Sequence, residues 1–100
     1  MFVNVGFGEA APGREKDVEA AMRAFGDWLS DAPGLVAIHL LRDPQSGQLT
    51  GVSLWKDRES FAAAMSRPRS DHRKMDPAMY ARLPETRSGD VVATWPSLRG

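Results

Sequence analysis

The chain has 100 residues, enough for a single domain over 1–100 with one core and little surplus. It is ordinary globular material at 42% hydrophobic and 26% charged, and its 13 basic and 13 acidic side chains cancel, which argues against nucleic acid or an acidic membrane surface as the main partner. The absence of cysteine excludes disulfides and thiolate chemistry, no apolar run approaches the roughly 18–20 residues that span a bilayer, and no signal peptide is visible, so a cytoplasmic protein is expected.

Residues 2–7 alternate Val3, Val5 and Phe7 against Phe2, Asn4 and Gly6, which predicts a strand. Asn4 is a polar group on a mixed face; it either bonds a neighbouring backbone group or touches a ligand. Pro12 and Gly13 mark a turn. A helix follows over about 14–32, with Val18, Met22, Phe25 and Leu29 on one stripe, Trp28 at its edge, and acidic residues near the positive end of the helix dipole. Pro33 and Gly34 stop it.

Residues 35–42 form an almost unbroken apolar run interrupted by His39. A strand apolar on both sides is covered on both sides, which predicts helices over one face and a second copy of the chain over the other. The segment 43–47 is a hairpin loop by composition, leading to a third strand that ends at Trp55. Asp57 is a suitable N-cap for a second helix running to about Ser66, with Phe61, Ala64 and Met65 inward. Trp55 and Phe61 are expected to meet at this strand–helix corner. They either serve as core alone or also wall a ligand cavity.

Residues 71–83 are the least regular stretch, with Asp76 and Pro77 forming the cap and first position of a short helix. His72, Met75, Met79 and Leu83 would share a side if the helix were continuous, a register that Pro77 is expected to break. Arg67, Arg69, Arg73 and Lys74 form either a solvated surface or an anion-binding cavity mouth. Residues 89–95 are expected to be the last strand, with Val91, Ala93 and Trp95 on one face. The order strand, helix, strand, strand, helix, short helix, strand predicts an α+β, ferredoxin-like βαββαβ fold. Its four-stranded antiparallel sheet has the order 4-1-3-2, with both main helices on one face.

Pro33-Gly34-Leu35 at the start of strand two, the Gly-containing hairpin, and the segment from Trp55 to Phe61 resemble the antibiotic biosynthesis monooxygenase (ABM) family of dimeric α/β-barrel proteins. The resemblance implies a homodimer through the open face of the sheet and a pocket between sheet and helices. It also implies oxidation of an aromatic phenol, anthrone or quinol by O₂ without metal or flavin. On that reading Trp55, Phe61, Met75 and Met79 bind substrate, His72 takes a proton, Arg73 holds the developing oxyanion and Asn4 orients the carbonyl. Some anthrone-oxidising members place an Asn four residues before the motif Trp, where this chain has Gly51. A haem-degrading branch uses a strand-one Asn, a further Trp and a further His; at the last two positions this chain has Ala64 and Lys74, and Asn4 and His72 lie near the expected places but not at them, so haem is the disfavoured cofactor. A non-catalytic small-molecule-binding barrel is the alternative function.

Overall fold

A computed structural model of the chain describes residues 1–68 and 76–96. The elements are β1 (Phe2–Ala10), α1 (Glu15–Leu29), β2 (Leu35–Arg42), β3 (Leu49–Trp55), α2 (Arg58–Met65), a 3-10 turn over Pro77–Met79, and β4 (Tyr80–Asp90). The strands form one antiparallel sheet in the order β2-β3-β1-β4. This is the ferredoxin-like arrangement expected from the element order.

The second helix starts where Asp57 accepts from the Ser60 backbone N–H at 2.8 Å and from the Ser60 hydroxyl at 2.6 Å. The hydroxyl bond, followed by the backbone bond, holds the Asp57 carboxyl below its ordinary range. Gly34 sits directly against this cap. Its φ of 84° lies in the left-handed region, and a Cβ there would collide with the Ser60 side chain. The Gly34 carbonyl accepts from Lys56 N at 2.8 Å, tying the end of α1 to the end of β3. At this corner Phe61 meets Trp55 edge-on at 5.7 Å and Phe2 at 5.2 Å between ring centroids. Phe2, Trp55, Leu29, Ala32 and Ala64 form one buried cluster; Ala10, Val18 and Met79 form another at the far end of the helix layer.

Two expectations are corrected. The last strand runs over Tyr80–Asp90, not 89–95: Phe2 pairs with Asp90 and Gly6 with Thr86, and after Val91 N bonds Met1 O at 2.8 Å the ladder ends. Of the residues expected on one face of that strand, Val91 is 38% and Trp95 86% exposed. An edge strand that is exposed along nearly its whole length carries Arg82, Glu85, Arg87 and Ser88, so it has no apolar alternation to read. Pro84 is tolerated there because β4 is an edge strand whose register with β1 shifts beside it. The first helix ends at Leu29 rather than near Ala32, because the Ser30 and Ala32 N–H groups fold back onto Asp27 and Leu29 carbonyls in a tighter turn.

The two faces of the sheet differ. By strand alternation, Phe2, Asn4 and Gly6 of β1 share the helix side with Gly51, Ser53 and Trp55 of β3 and with Ile38 and Leu40 of β2. Val3, Val5, Phe7, Val52, Leu54, Ala37, His39 and Leu41 take the opposite side, where no element of this chain covers them among the described residues.

Candidate functional site

A cavity of about 520 Å³ lies between the helix side of the sheet and the two helices, within the size range of small-molecule sites. Three glycines lie in its floor. Gly6 on β1 pairs across to Gly51 on β3, and Gly8 lies one step further along the same face. A Cβ on Gly51 would approach Met22 Cε to 3.3 Å, so Met22 of α1 forms the roof directly opposite. The walls are Phe25 and Ala21 of α1, Ile38 and Leu40 of β2, and Phe61 and Met65 of α2. The helix stripe is divided: Leu29 is buried in the core at one end, while Val18, Met22 and Phe25 border the cavity, Val18 from a buried position.

The polar groups of the lining are neutral. Asn4 on β1 stands opposite Ser53 on β3, and Tyr80 and Thr86 come from β4. No Asp, Glu, Lys or Arg is among the described residues that line the cavity. Burial pushes the Tyr80 phenol up, so it is protonated and a hydrogen-bond donor at neutral pH. Ser53 is buried and its Oγ accepts from the Trp55 indole N–H at 2.9 Å. His39 borders the cavity through its place between Ile38 and Leu40, but pairs with Val52, which sends its imidazole to the opposite face.

Of the residues singled out in the sequence, Asn4 and Phe61 line the cavity. Trp55 does not. It is 0% exposed and lies in the aromatic corner beyond the Asn4–Ser53 row, reaching the lining only through its bond to Ser53. Met79 is buried with Ala10 and Val18, outside the lining. His72, Arg73 and Met75 lie outside the described residues. Of the basic cluster, Arg67 is described: it bridges Asp31 at 3.0 Å and lies over the Trp28 ring at 5.5 Å, on a shallower cleft apart from the cavity. Ser53, Tyr80, Thr86 and the three glycines went unread. The available signal was Gly6, Gly8 and Gly51 at alternate strand positions facing an aliphatic strand, a spacing that removes side chains from one face only.

The family model described as antibiotic biosynthesis monooxygenase matches residues 1–73, which run from β1 past the end of α2. This chain belongs to that family. No curated protein matches it. Among solved structures, this ABM family member is similar to an asparagine-to-alanine mutant of SnoaB, a cofactor-independent oxygenase from Streptomyces nogalater, at 21% identity over 96% of this chain and 95% of that one, with a TM-score of 0.73. It is also similar to Rv0793 from Mycobacterium tuberculosis at 11% identity, 94% and 97% coverage, and TM-score 0.78. A third is an MhuD variant holding two manganese protoporphyrin IX molecules per active site, at 19% identity, 94% and 97% coverage, and TM-score 0.74. At these identities the likenesses are of fold, and they extend through β4, which the family model leaves unmatched. Among the described residues no group of three His, Asp or Glu side chains in this ABM chain could hold a metal ion, and no helix is long and apolar enough to cross a membrane.

Proposed function

We propose that this chain is a cofactor-independent oxygenase acting on a neutral aromatic phenol, anthrone or quinol. The observation that carries this reading is the glycine-floored cavity with aromatic and thioether walls and neutral polar groups. A flat ring system gains dispersion against Phe25, Met22, Phe61 and Met65, while a glycine floor lets it lie close to the backbone. In this chemistry the substrate supplies all the electrons. An anthrone loses a proton, its carbanion reduces O₂, one oxygen atom enters the ring carbon and the other leaves as water. The chain has to bind the ring, favour the enolate over the ketone and exclude water. Asn4 is suited to orient the substrate oxygen. His72 is assigned the proton transfer and Arg73 the anion on sequence grounds.

Haem fits the described lining poorly. It presents neither an imidazole on the helix side nor a cation for the propionates, and burial holds the Tyr80 phenol in the neutral form that ligates iron weakly. The open face, with Val3, Val5, Val52 and Leu54 uncovered, supports a homodimer formed through it.

The test is aerobic incubation of purified, metal-chelated protein with anthrone, following O₂ uptake and anthraquinone formation. Turnover that stops without O₂, and is abolished by His72→Ala with the fold retained, is expected. No turnover over the uncatalysed rate, or a stoichiometric Soret shift on adding haem, would overturn the reading. A monomer by sedimentation at micromolar concentration would remove the dimer.

A further inference from the structure

The family's motif tryptophan is out of reach of any ligand in this chain, yet it is hydrogen-bonded to a residue that lines the cavity. Trp55 is fully enclosed, and its indole nitrogen donates to Ser53 Oγ at 2.9 Å. An indole N–H can only donate. The Ser53 oxygen is therefore the acceptor in that bond, and its own hydroxyl proton is left to be given elsewhere. Ser53 is 6% exposed, and among the described residues its hydroxyl has no acceptor. A buried O–H without an acceptor is costly unless something in the cavity accepts it.

Asn4 stands directly across the strand pair from Ser53, which brings the two side chains within about 5 Å of each other at their Cβ atoms. Its carboxamide likewise has no partner among the described residues. The two groups make a short neutral strip beside the glycine floor.

We infer that Ser53 is a ligand-binding residue that donates to a ring oxygen of the bound molecule, with Asn4 beside it as a second hydrogen-bonding group, and that Trp55 is a positioning residue acting through Ser53. The indole bond fixes the serine rotamer. It also polarises the hydroxyl, because an oxygen that accepts one hydrogen bond donates the next more strongly. The ligand class follows from the strip: a neutral polycyclic ketone or phenol. A carboxylate there would be buried against a hydroxyl and a carboxamide with no cation in the described lining. This assignment rests on the aromatic-substrate reading and deepens it by placing the substrate oxygen at the Asn4–Ser53 row.

The probes are anthrone and anthracene, which share a three-ring frame and differ in the oxygen, measured by anaerobic equilibrium dialysis against the full chain. Wild type is expected to bind anthrone about tenfold more tightly than anthracene, the size of one good hydrogen bond. Ser53→Ala should collapse that ratio towards one without changing anthracene affinity, and Ser53→Thr should keep it. Trp55→Phe retains a ring but frees the serine, and should lower the ratio about threefold. The double variant Trp55→Phe/Ser53→Ala has no orphaned indole, so it should fold at least as well as Ser53→Ala and match its ratio. In a ¹H–¹⁵N spectrum the Trp55 indole signal should move when anthrone binds and stay when anthracene binds, which a purely structural hydrogen bond would not do. Both probes binding with a ratio indifferent to Ser53→Ala overturns this inference and leaves the cavity reading standing. Neither probe binding overturns both.

Discussion

Two neighbouring regions of one sheet face behave in opposite ways. At one end of the β1–β3 pair, Phe2 faces Trp55 and the space above them is filled by Phe61, leaving Trp55 with no exposed surface. Two rows along the same strands, Gly6 faces Gly51, and a cavity opens beneath the same helix layer. The strands and helices continue across both regions. At the cavity end the paired sheet positions carry glycine where the filled end carries two large aromatic side chains. Asn4 and Ser53 form the row between, half in each region: Ser53 holds the buried indole on one side and lines the cavity on the other.

The largest expected effect comes from emptying the filled end. Trp55→Ala deletes a fully enclosed aromatic side chain and leaves a void among Phe2, Phe61 and Leu29, costing about 3–5 kcal/mol. Urea denaturation should show the unfolding free energy falling by that amount; a loss below about 1 kcal/mol would mean the corner is not the packed region described. Filling the empty end should do the reverse. Gly51→Val places its branched side chain on the cavity floor, where the nearest atom is the flexible end of Met22. Anthrone affinity should drop at least about tenfold, while stability changes by less than about 1 kcal/mol, because a β-branched residue suits a strand better than glycine. Unchanged affinity would place the ligand elsewhere.

The smallest effect sharpens the comparison at the corner's edge. Asp57→Ala removes the cap that starts α2 beside Trp55. The folded Asp57 carboxyl titrates below its ordinary value, so its stabilising contribution is present above the usual carboxylate range and is lost as pH falls through the lowered folded value. Wild type and variant should therefore differ in thermal midpoint at neutral pH and converge as the medium is acidified below that range. A gap that persists unchanged at strongly acidic pH would show that the carboxylate is not its cause.

Much of the framework was legible because it depends on local rules. The alternation of Val3, Val5 and Phe7 marked β1, and the apolar run from Leu35 marked β2 to the residue. Asp57 marked the start of α2 by the chemistry of its side chain, and Pro33-Gly34 closed α1 within a turn. The strand β4 was misplaced because periodicity reports burial, and an exposed edge strand has little to report: Arg87 and Ser88 are exposed, and so is Thr86 although it borders the cavity. At the site, Asn4 and Phe61 were readable as a polar interruption and an aromatic anchor. The sequence leaves Trp55 between a packed core corner and a cavity wall, since it does not say on which side of such a corner a large side chain finishes.

The amino-acid sequence by itself determined the element order, the turns and caps, and the two-sided apolar sheet, because each rests on neighbours a few positions apart. Only the tertiary structure decided which side-chain-free positions lie opposite one another, and that the tryptophan serves the cavity through a serine. Those depend on strand register, in which a shift of one residue would turn Gly51 and Ser53 to the other face and leave no cavity and no buried hydroxyl to supply it.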